Sequence, residues 1–230
     1  SWQPSLLKYA LDNELLFKNI EDVYKYKNLI FISLEFNQLI NIKRFKTTQL
    51  FNIHFSLLPD YKGMYTSTHP ILNGDLFSGV TLHLIDNGID TGPIIDQLRF
   101  EIGIDFSAKD LYMEYLYYGY KLFKKSILSL INHNYKSVNQ NNINSSYYSR
   151  DTIDFENISI SYTDTSFKIH NQIRAYIFED YQLPIIKGSK IIKSVLTNEK
   201  IKRCTMIEEK EKFIISGMDG FIIKVYKQLE

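Results

Sequence analysis

One stretch constrains this chain more than any other: Phe51-Asn52-Ile53-His54-Phe55, followed at once by Ser56-Leu57-Leu58-Pro59. The opening residues are apolar and β-branched enough for a buried strand, yet they carry an amide and an imidazole two positions apart. Strand side chains alternate between faces, so Asn52 and His54 point the same way, on the order of 7 Å apart along the strand. Proline fixes φ and donates no ladder hydrogen bond, so Pro59 ends the strand. Two polar groups side by side at the carboxyl end of a strand occupy the place where open α/β sheets hold ligands.

A length of 230 residues allows one domain of ordinary size with a smaller appendage. The 27 basic and 26 acidic residues leave a formal charge of +1, which gives no electrostatic footprint for nucleic acid or an anionic membrane. The single cysteine, Cys204, forbids an intramolecular disulfide and suits a reducing cytoplasm. No apolar run approaches the roughly 20 residues that span a bilayer, and no signal peptide opens the chain. A cytoplasmic protein with no nucleic-acid or membrane partner is expected.

The periodicities outline an α/β chain. Pro4 and the stripe Leu7, Leu11 and Leu15 predict a turn and helix over residues 1–17. Residues 29–34 read as a buried parallel strand, 37–45 as a helical crossover and 47–55 as the next strand. A doubly wound domain normally has a strand before its first helix, and none precedes Ser1. Residues 64–75 form a helix or extended loop ending at Asn73-Gly74. Residues 79–85 and 94–100 are placed like the arms of a hairpin. Ser107-Ala108-Lys109-Asp110 spells a capping box that opens a long helix with Leu116, Tyr120, Phe123, Ile127, Leu130 and Ile131 on one face. Residues 139–146 are polar, low in complexity and expected to be an exposed linker. Asp164 or Ser166 caps a short helix, and the last forty residues break into short strands, with a hairpin over 212–223. The expected division is therefore 1–135 as core, 136–163 as linker and extended segment, and 164–230 as a helix plus β-hairpin appendage too small to bury a large core alone.

If Asn52, His54 and Asp90 met, they would supply three functions. His54 accepts a proton near neutral pH. The Asn52 amide donates to an oxygen that gains negative charge. Asp90 orients His54 and stabilises its protonated form. Gly88 and Gly92 flank Asp90, permit positive φ and let the backbone approach a flat ligand. Taken singly, each has a plainer reading: a satisfied polar pair at a strand edge, a turn aspartate, a serine capping a turn. Their joint occurrence in this order and spacing is what carries weight.

The run from Asn52 to Gly63, then Asn73-Gly74, Gly79-Val80-Thr81-Leu82-His83 and Asp90-Thr91-Gly92-Pro93-Ile94-Ile95-Asp96-Gln97, resembles the signature of the formyltetrahydrofolate-dependent formyltransferases. The resemblance is dense from Leu29 to Phe100 and thinner through Ser149-Arg150-Asp151, Ile153-Asp154-Phe155 and Ile173-Arg174-Ala175. It implies a Rossmann-like core with a mostly parallel sheet and a small C-terminal β-hairpin subdomain. It places Asn52, His54 and Asp90 on the catalytic residues, and Ser56, Leu57, Leu58 and Pro59 on a loop that contacts folate. Asp86, Asn87 and Gly88 fall on the loop that cradles the pterin, with His83 nearby. Formyltetrahydrofolate is then the formyl donor, with no metal.

Within that family, methionyl-tRNA formyltransferases carry a basic tail that the near-neutral charge does not match. Glycinamide ribonucleotide formyltransferases end soon after the long helix. The tail resembles the sugar N-formyltransferases, which formylate nucleotide-linked amino sugars destined for O-antigen. The resemblance implies dTDP-4-amino-4,6-dideoxyglucose as substrate, the 3-amino isomer next, and a homodimer through the C-terminal hairpins. A non-catalytic folate or nucleotide-sugar binding module is the competing class. Stacking on thymine and neutralising pyrophosphate require an aromatic and cations, for which Lys62, Arg174, Tyr181 and Trp2 are candidates.

Overall fold

The computed structural model describes residues 5–36, 38–141 and 143–229; Trp2 and Pro4 lie outside them. Helix α1 (Leu6–Asp12) starts where the Ser5 side chain accepts from the Lys8 N–H, and it buries none of its residues. The expected leucine stripe faces solvent, Leu11 being 64% exposed. After the short α2 (Ile20–Val23) come the strands of the main sheet: β1 (Phe31–Leu34), β2 (Leu50–His54), β4 (Phe77–Leu84) and β5 (Ile94–Glu101), in the order β1-β2-β4-β5. β1 runs parallel to β2, while β2 with β4 and β4 with β5 are antiparallel, which gives a mixed α/β sheet.

The helical crossover expected over 37–45 contracts to one 3₁₀ turn, Ile42–Arg44. Asn41 turns the chain by accepting from the Lys43 N–H. Ile40, Ile42 and Phe45 then pack around Tyr24 and Leu50 instead of forming a helical stripe.

The capping box is present: the Ser107 hydroxyl accepts from the Asp110 N–H, and Asp110 accepts from the Ser107 N–H. The helix it opens, α4 (Ala108–Ile131), presents to the sheet a different face from the one expected. Leu111, Tyr115, Leu122 and Leu130 are buried along with Gly119 and Ser126, whereas Tyr120 is 63% exposed. Gly119 and Ser126 add little to an apolar count, but their smallness lets the helix lie close to the sheet, where it packs chiefly on β4 and β5. A Cβ at Gly119 would already lie 3.3 Å from the Phe55 ring. The core beneath joins Phe51, Ile53 and Phe55 to Val80, Leu82 and Phe100.

The C-terminal part has a core of its own, which the sequence did not promise. β7 (Ile185–Ile186), β8 (Ser189–Lys200), β9 (Met206–Glu208), β10 (Lys212–Ser216) and β11 (Phe221–Lys227) form an antiparallel sheet in the order β7-β8-β11-β10-β9. Helix α5 (Ser166–Arg174), capped by Thr165, lays Ile169 and Ile173 against Phe213, Ile215, Ile223 and Val225. The helix supplies the second layer that hairpins alone lack.

The segment expected to be an exposed linker is polar, but it is tied down. Val138 and Ile94 exchange both backbone hydrogen bonds at 2.8 Å. β6 (Tyr147–Tyr148) pairs in parallel with β3 (Lys62–Gly63). Helix α3 (His69–Asn73) ends at Gly74, whose φ of 76° is the left-handed C-cap that the Asn-Gly pair signals. Among the described residues no helix is long and apolar enough to cross a membrane.

Candidate active site

β2 forms the floor of the site. Phe51 and Ile53 go into the core, so Asn52 and His54 share the opposite face. The antiparallel register sets His83 of β4 directly beside Asn52, and the turn after β4 brings Asp90 over both. His54 Nδ1 lies 3.4 Å from Asp90 Oδ2, and His83 Nε2 lies 3.6 Å from Asp90 Oδ1. The structure thus brings together all three residues expected to be catalytic, with His83 as a fourth member.

Hydrogen-bond chemistry fixes the protons. His54 Nε2 lies 2.8 Å from the Tyr61 carbonyl, which can only accept, so Nε2 carries the hydrogen and Nδ1 is left as the basic nitrogen. His83 Nδ1 donates to the Leu84 carbonyl at 2.7 Å, so its Nε2 is a bare acceptor in the neutral ring. Asn52 Nδ2 donates to that nitrogen at 3.1 Å and to Asp90 Oδ1 at 3.2 Å. Both amide hydrogens of Asn52 are therefore engaged, and an incoming oxygen must displace one of these partners or share with it.

Burial lowers the His54 pKa below its usual 6.5, against the opposing pull of the Asp90 charge. Burial works to raise Asp90 as well. There, the neighbouring His83 and His54 rings, which favour the carboxylate most when protonated, and the Gly63 N–H at 2.9 Å outweigh it and hold the carboxyl at about 2. The resting pair is a neutral imidazole beside a carboxylate. This differs from the expected orienting role of Asp90: in the neutral state the Tyr61 carbonyl orients His54, and Asp90 engages only when Nδ1 takes a proton.

The glycines around Asp90 work differently from the expectation too. Asp90 itself holds the left-handed φ of 53°, and neither Gly88 nor Gly92 has positive φ. Gly92 is required by close approach, since a Cβ there would lie 1.8 Å from the Leu84 carbonyl oxygen. Asp86 closes the turn by accepting from the Gly88 N–H and the Thr91 hydroxyl, leaving Asn87, Gly88 and Ile89 exposed beside the polar face of β2.

The Ser56–Pro59 loop is built from within. Thr81 Oγ1 donates to the Ser56 carbonyl at 2.6 Å and accepts from the Leu58 N–H and from Gln97 Nε2. The Ser56 hydroxyl donates to the Asp60 carbonyl, and Ser56 and Leu58 are buried, so among these four side chains Leu57 and Pro59 reach the surface. Lys62 is buried within β3, next to the glycine that bonds Asp90.

Arg174 is not available to a ligand. It is 2% exposed, with Nη1 donating to the Phe106 and Gly103 carbonyls and Nε to Asn171, so it ties α5 to the loop before α4. Tyr181 is exposed and rests against Phe178.

Sequence reasoning missed four contributors: the Tyr61 carbonyl, the Gly63 N–H, Ser146 and Gln140. Two are main-chain groups without a side-chain signature, and two lie in the stretch read as linker.

A basic imidazole, a carboxylate and an amide on one face of a mixed sheet, beside an exposed turn, define an acyl-transfer site of the kind that needs no protein nucleophile. The Formyl transferase family model matches residues 17–127. Among solved structures, WlaRD, a sugar 3N-formyl transferase crystallised with dTDP and 5-N-formyl-THF, is 56% identical, with a TM-score of 0.97 over 100% of this chain and 84% of its own. The N-formyltransferase from Helicobacter canadensis, solved with folinic acid and dTDP-3-aminofucose, is 54% identical, with a TM-score of 0.96 over 99% and 84% of the two chains. The chain belongs to the formyltetrahydrofolate-dependent formyltransferases. The methionyl-tRNA formyltransferase of Trichormus variabilis is 26% identical over 76% of this chain and 51% of its own length. The chain thus spans about half the length of the curated relatives it matches.

Proposed function

We propose that this protein moves a formyl group from formyltetrahydrofolate to the 3-amine of a dTDP-linked amino-dideoxyhexose. The observation that carries the reading is 54–56% identity across essentially the whole chain to two sugar N-formyltransferases, one named as acting at N3 and the other solved with a 3-amino sugar. That favours the 3-amino isomer over the 4-amino isomer expected from the sequence. The formal charge of +1 supports a sugar nucleotide over a transfer RNA.

The residues fit the formyl donor, because Asp90, on which His54 and His83 converge, directly follows the exposed turn Asn87–Ile89. Bound formyltetrahydrofolate would supply the activated formyl carbon. Asn52 donates a hydrogen to the formyl oxygen as it gains charge, releasing His83 or Asp90 to do so. His54 Nδ1 takes the proton lost by the attacking amine, with Asp90 Oδ2, 3.4 Å away, accepting the new N–H, and would return it to the donor nitrogen as the bond from that nitrogen to the formyl carbon breaks and tetrahydrofolate leaves. Lys62 and Tyr181 are candidate nucleotide contacts, and a homodimer is the expected assembly, checked by sedimentation.

The deciding experiment incubates purified protein with formyltetrahydrofolate and either dTDP-3-amino or dTDP-4-amino sugars, following tetrahydrofolate release. Faster turnover of the 3-amino sugar is expected. Turnover of initiator methionyl-tRNA and of neither sugar would overturn the assignment.

A further inference from the structure

We propose that Gln140 is a positioning residue for Asp90, holding the catalytic turn in place from the segment that follows the long helix. Its Nε2 donates one hydrogen to the Asp90 carbonyl at 2.9 Å and the other to the Gly92 carbonyl at 2.7 Å, so one side-chain amide clamps both ends of a three-residue arc. The arc needs a clamp. Asp90 holds a φ of 53° without being glycine, a strained conformation that persists only when neighbours impose it.

Gln140 is itself fixed. Two residues earlier, Val138 exchanges both backbone bonds with Ile94, so the segment is anchored to the start of β5 before it reaches the turn. The Gln140 Oε1 is buried without a hydrogen-bond partner among the described residues. Its amide orientation is therefore set by the two carbonyls alone, and the side chain is held there despite an unmet acceptor.

The consequence falls on His54. The charged and titratable groups facing its ring are Asp90 from the turn after β4 and His83 from β4, and Asp90 is the one that favours the protonated ring. If the turn relaxes, Asp90 Oδ2 moves away from Nδ1 and His54 becomes a weaker base.

The inference deepens the formyl-transfer reading, so the test has one arm that needs no turnover. Gln140→Leu keeps size and removes both donors. Gln140→Glu keeps shape and, when ionised, sets a carboxylate against two carbonyls. The imidazole titration of His54 is followed by NMR in wild type and both variants, assigned with His54→Asn among the five histidines. The His54 midpoint is expected to fall by half a pH unit or more in Gln140→Leu, and to fall less in Gln140→Glu, whose added carboxylate favours the protonated ring. In turnover, kcat is expected to drop about tenfold in Gln140→Leu and further in Gln140→Glu, with the sugar-nucleotide KM within twofold of wild type. An unshifted His54 midpoint in folded Gln140→Leu overturns the proposal, whether or not activity falls. An activity loss that tracks only a lowered melting temperature makes Gln140 a purely structural residue and also overturns it. A wild type that forms no formamide defeats the formyl-transfer reading and leaves the NMR arm to decide on Gln140.

Discussion

The Tyr61 carbonyl lies 2.8 Å from Nε2 of His54, and this one bond decides which nitrogen of the ring is basic. The outer nitrogen is committed to the main chain, so proton uptake falls to Nδ1, on the Asp90 side. Tyr61 can hold its carbonyl there because its own N–H donates to Ser146 Oγ at 2.7 Å while its φ is 57°.

His54→Asn removes the base while retaining a polar side chain. Turnover is expected to fall by about 10²–10⁴, the usual worth of general-base catalysis. Affinity for dTDP, measured by calorimetry, should change by no more than a few-fold. Retention of full turnover would refute the role assigned to the ring.

The pH profile follows from the two opposing fields at the site. In the proposed mechanism transfer requires neutral His54, and burial holds its pKa below 6.5. The acidic limb of kcat/KM is therefore expected below 6.5, with activity full above it and lost as pH falls through the folded-state value. Asp90, at about 2, stays ionised throughout and contributes no limb of its own. Asp90→Asn removes the charge that raises His54, so the limb should move to still lower pH as kcat drops. A limb that moves upward would contradict the arrangement.

Folding stability carries a separate acid signature from His170. The ring is fully buried and complete when neutral: Nε2 donates to the Ile104 carbonyl and Nδ1 accepts from the Ser194 hydroxyl, both at 2.8 Å. Burial depresses its pKa to about 4, against 6.5 for the unperturbed group. The unfolded chain binds the proton more readily between those values. Stability is therefore full above 6.5, declines as pH falls from 6.5 to 4, and levels off below. The contribution is at most about 3 kcal/mol. Urea denaturation at pH 7.5 and pH 5 should show the loss, and His170→Gln should make this part of the curve shallower, the remainder coming from His54 and His69, which burial also depresses.

Arg174 is expected to behave as a structural residue. Arg174→Met abolishes its bonds to the Phe106 and Gly103 carbonyls and should cost about 2–4 kcal/mol. Thermal unfolding measures that loss. The sugar-nucleotide KM of the folded fraction should match wild type, and a tenfold rise would restore Arg174 to the binding site.

What could be read from the chain was decided by how local the signal was. The alternation around Asn52 and His54 and the capping box at Ser107 are set by neighbouring residues, and both survive into the fold. The face of α4 was misjudged because Gly119 and Ser126 bury through smallness, a property that hydrophobic counting ignores. Arg174 looked like an anion contact because a lone arginine near a helix end gives no hint of the carbonyls that surround it. The bracing of the site was invisible for another reason: its hydrogen bonds join residues far apart in sequence, such as Tyr61 and Ser146, 85 positions from each other.

The pairing of Lys62–Gly63 with Tyr147–Tyr148 bears on how such a protein can be cut and recombined. A fragment ending with α4 would keep the amide, the imidazole and the carboxylate, and would look whole by any inventory of reactive groups. It would lack the chain that clamps Asp90 and steadies Tyr61. Exchange of C-terminal parts between relatives should therefore be spliced beyond Tyr148, and length changes between Val138 and Ser146 should be treated as alterations of the catalytic centre.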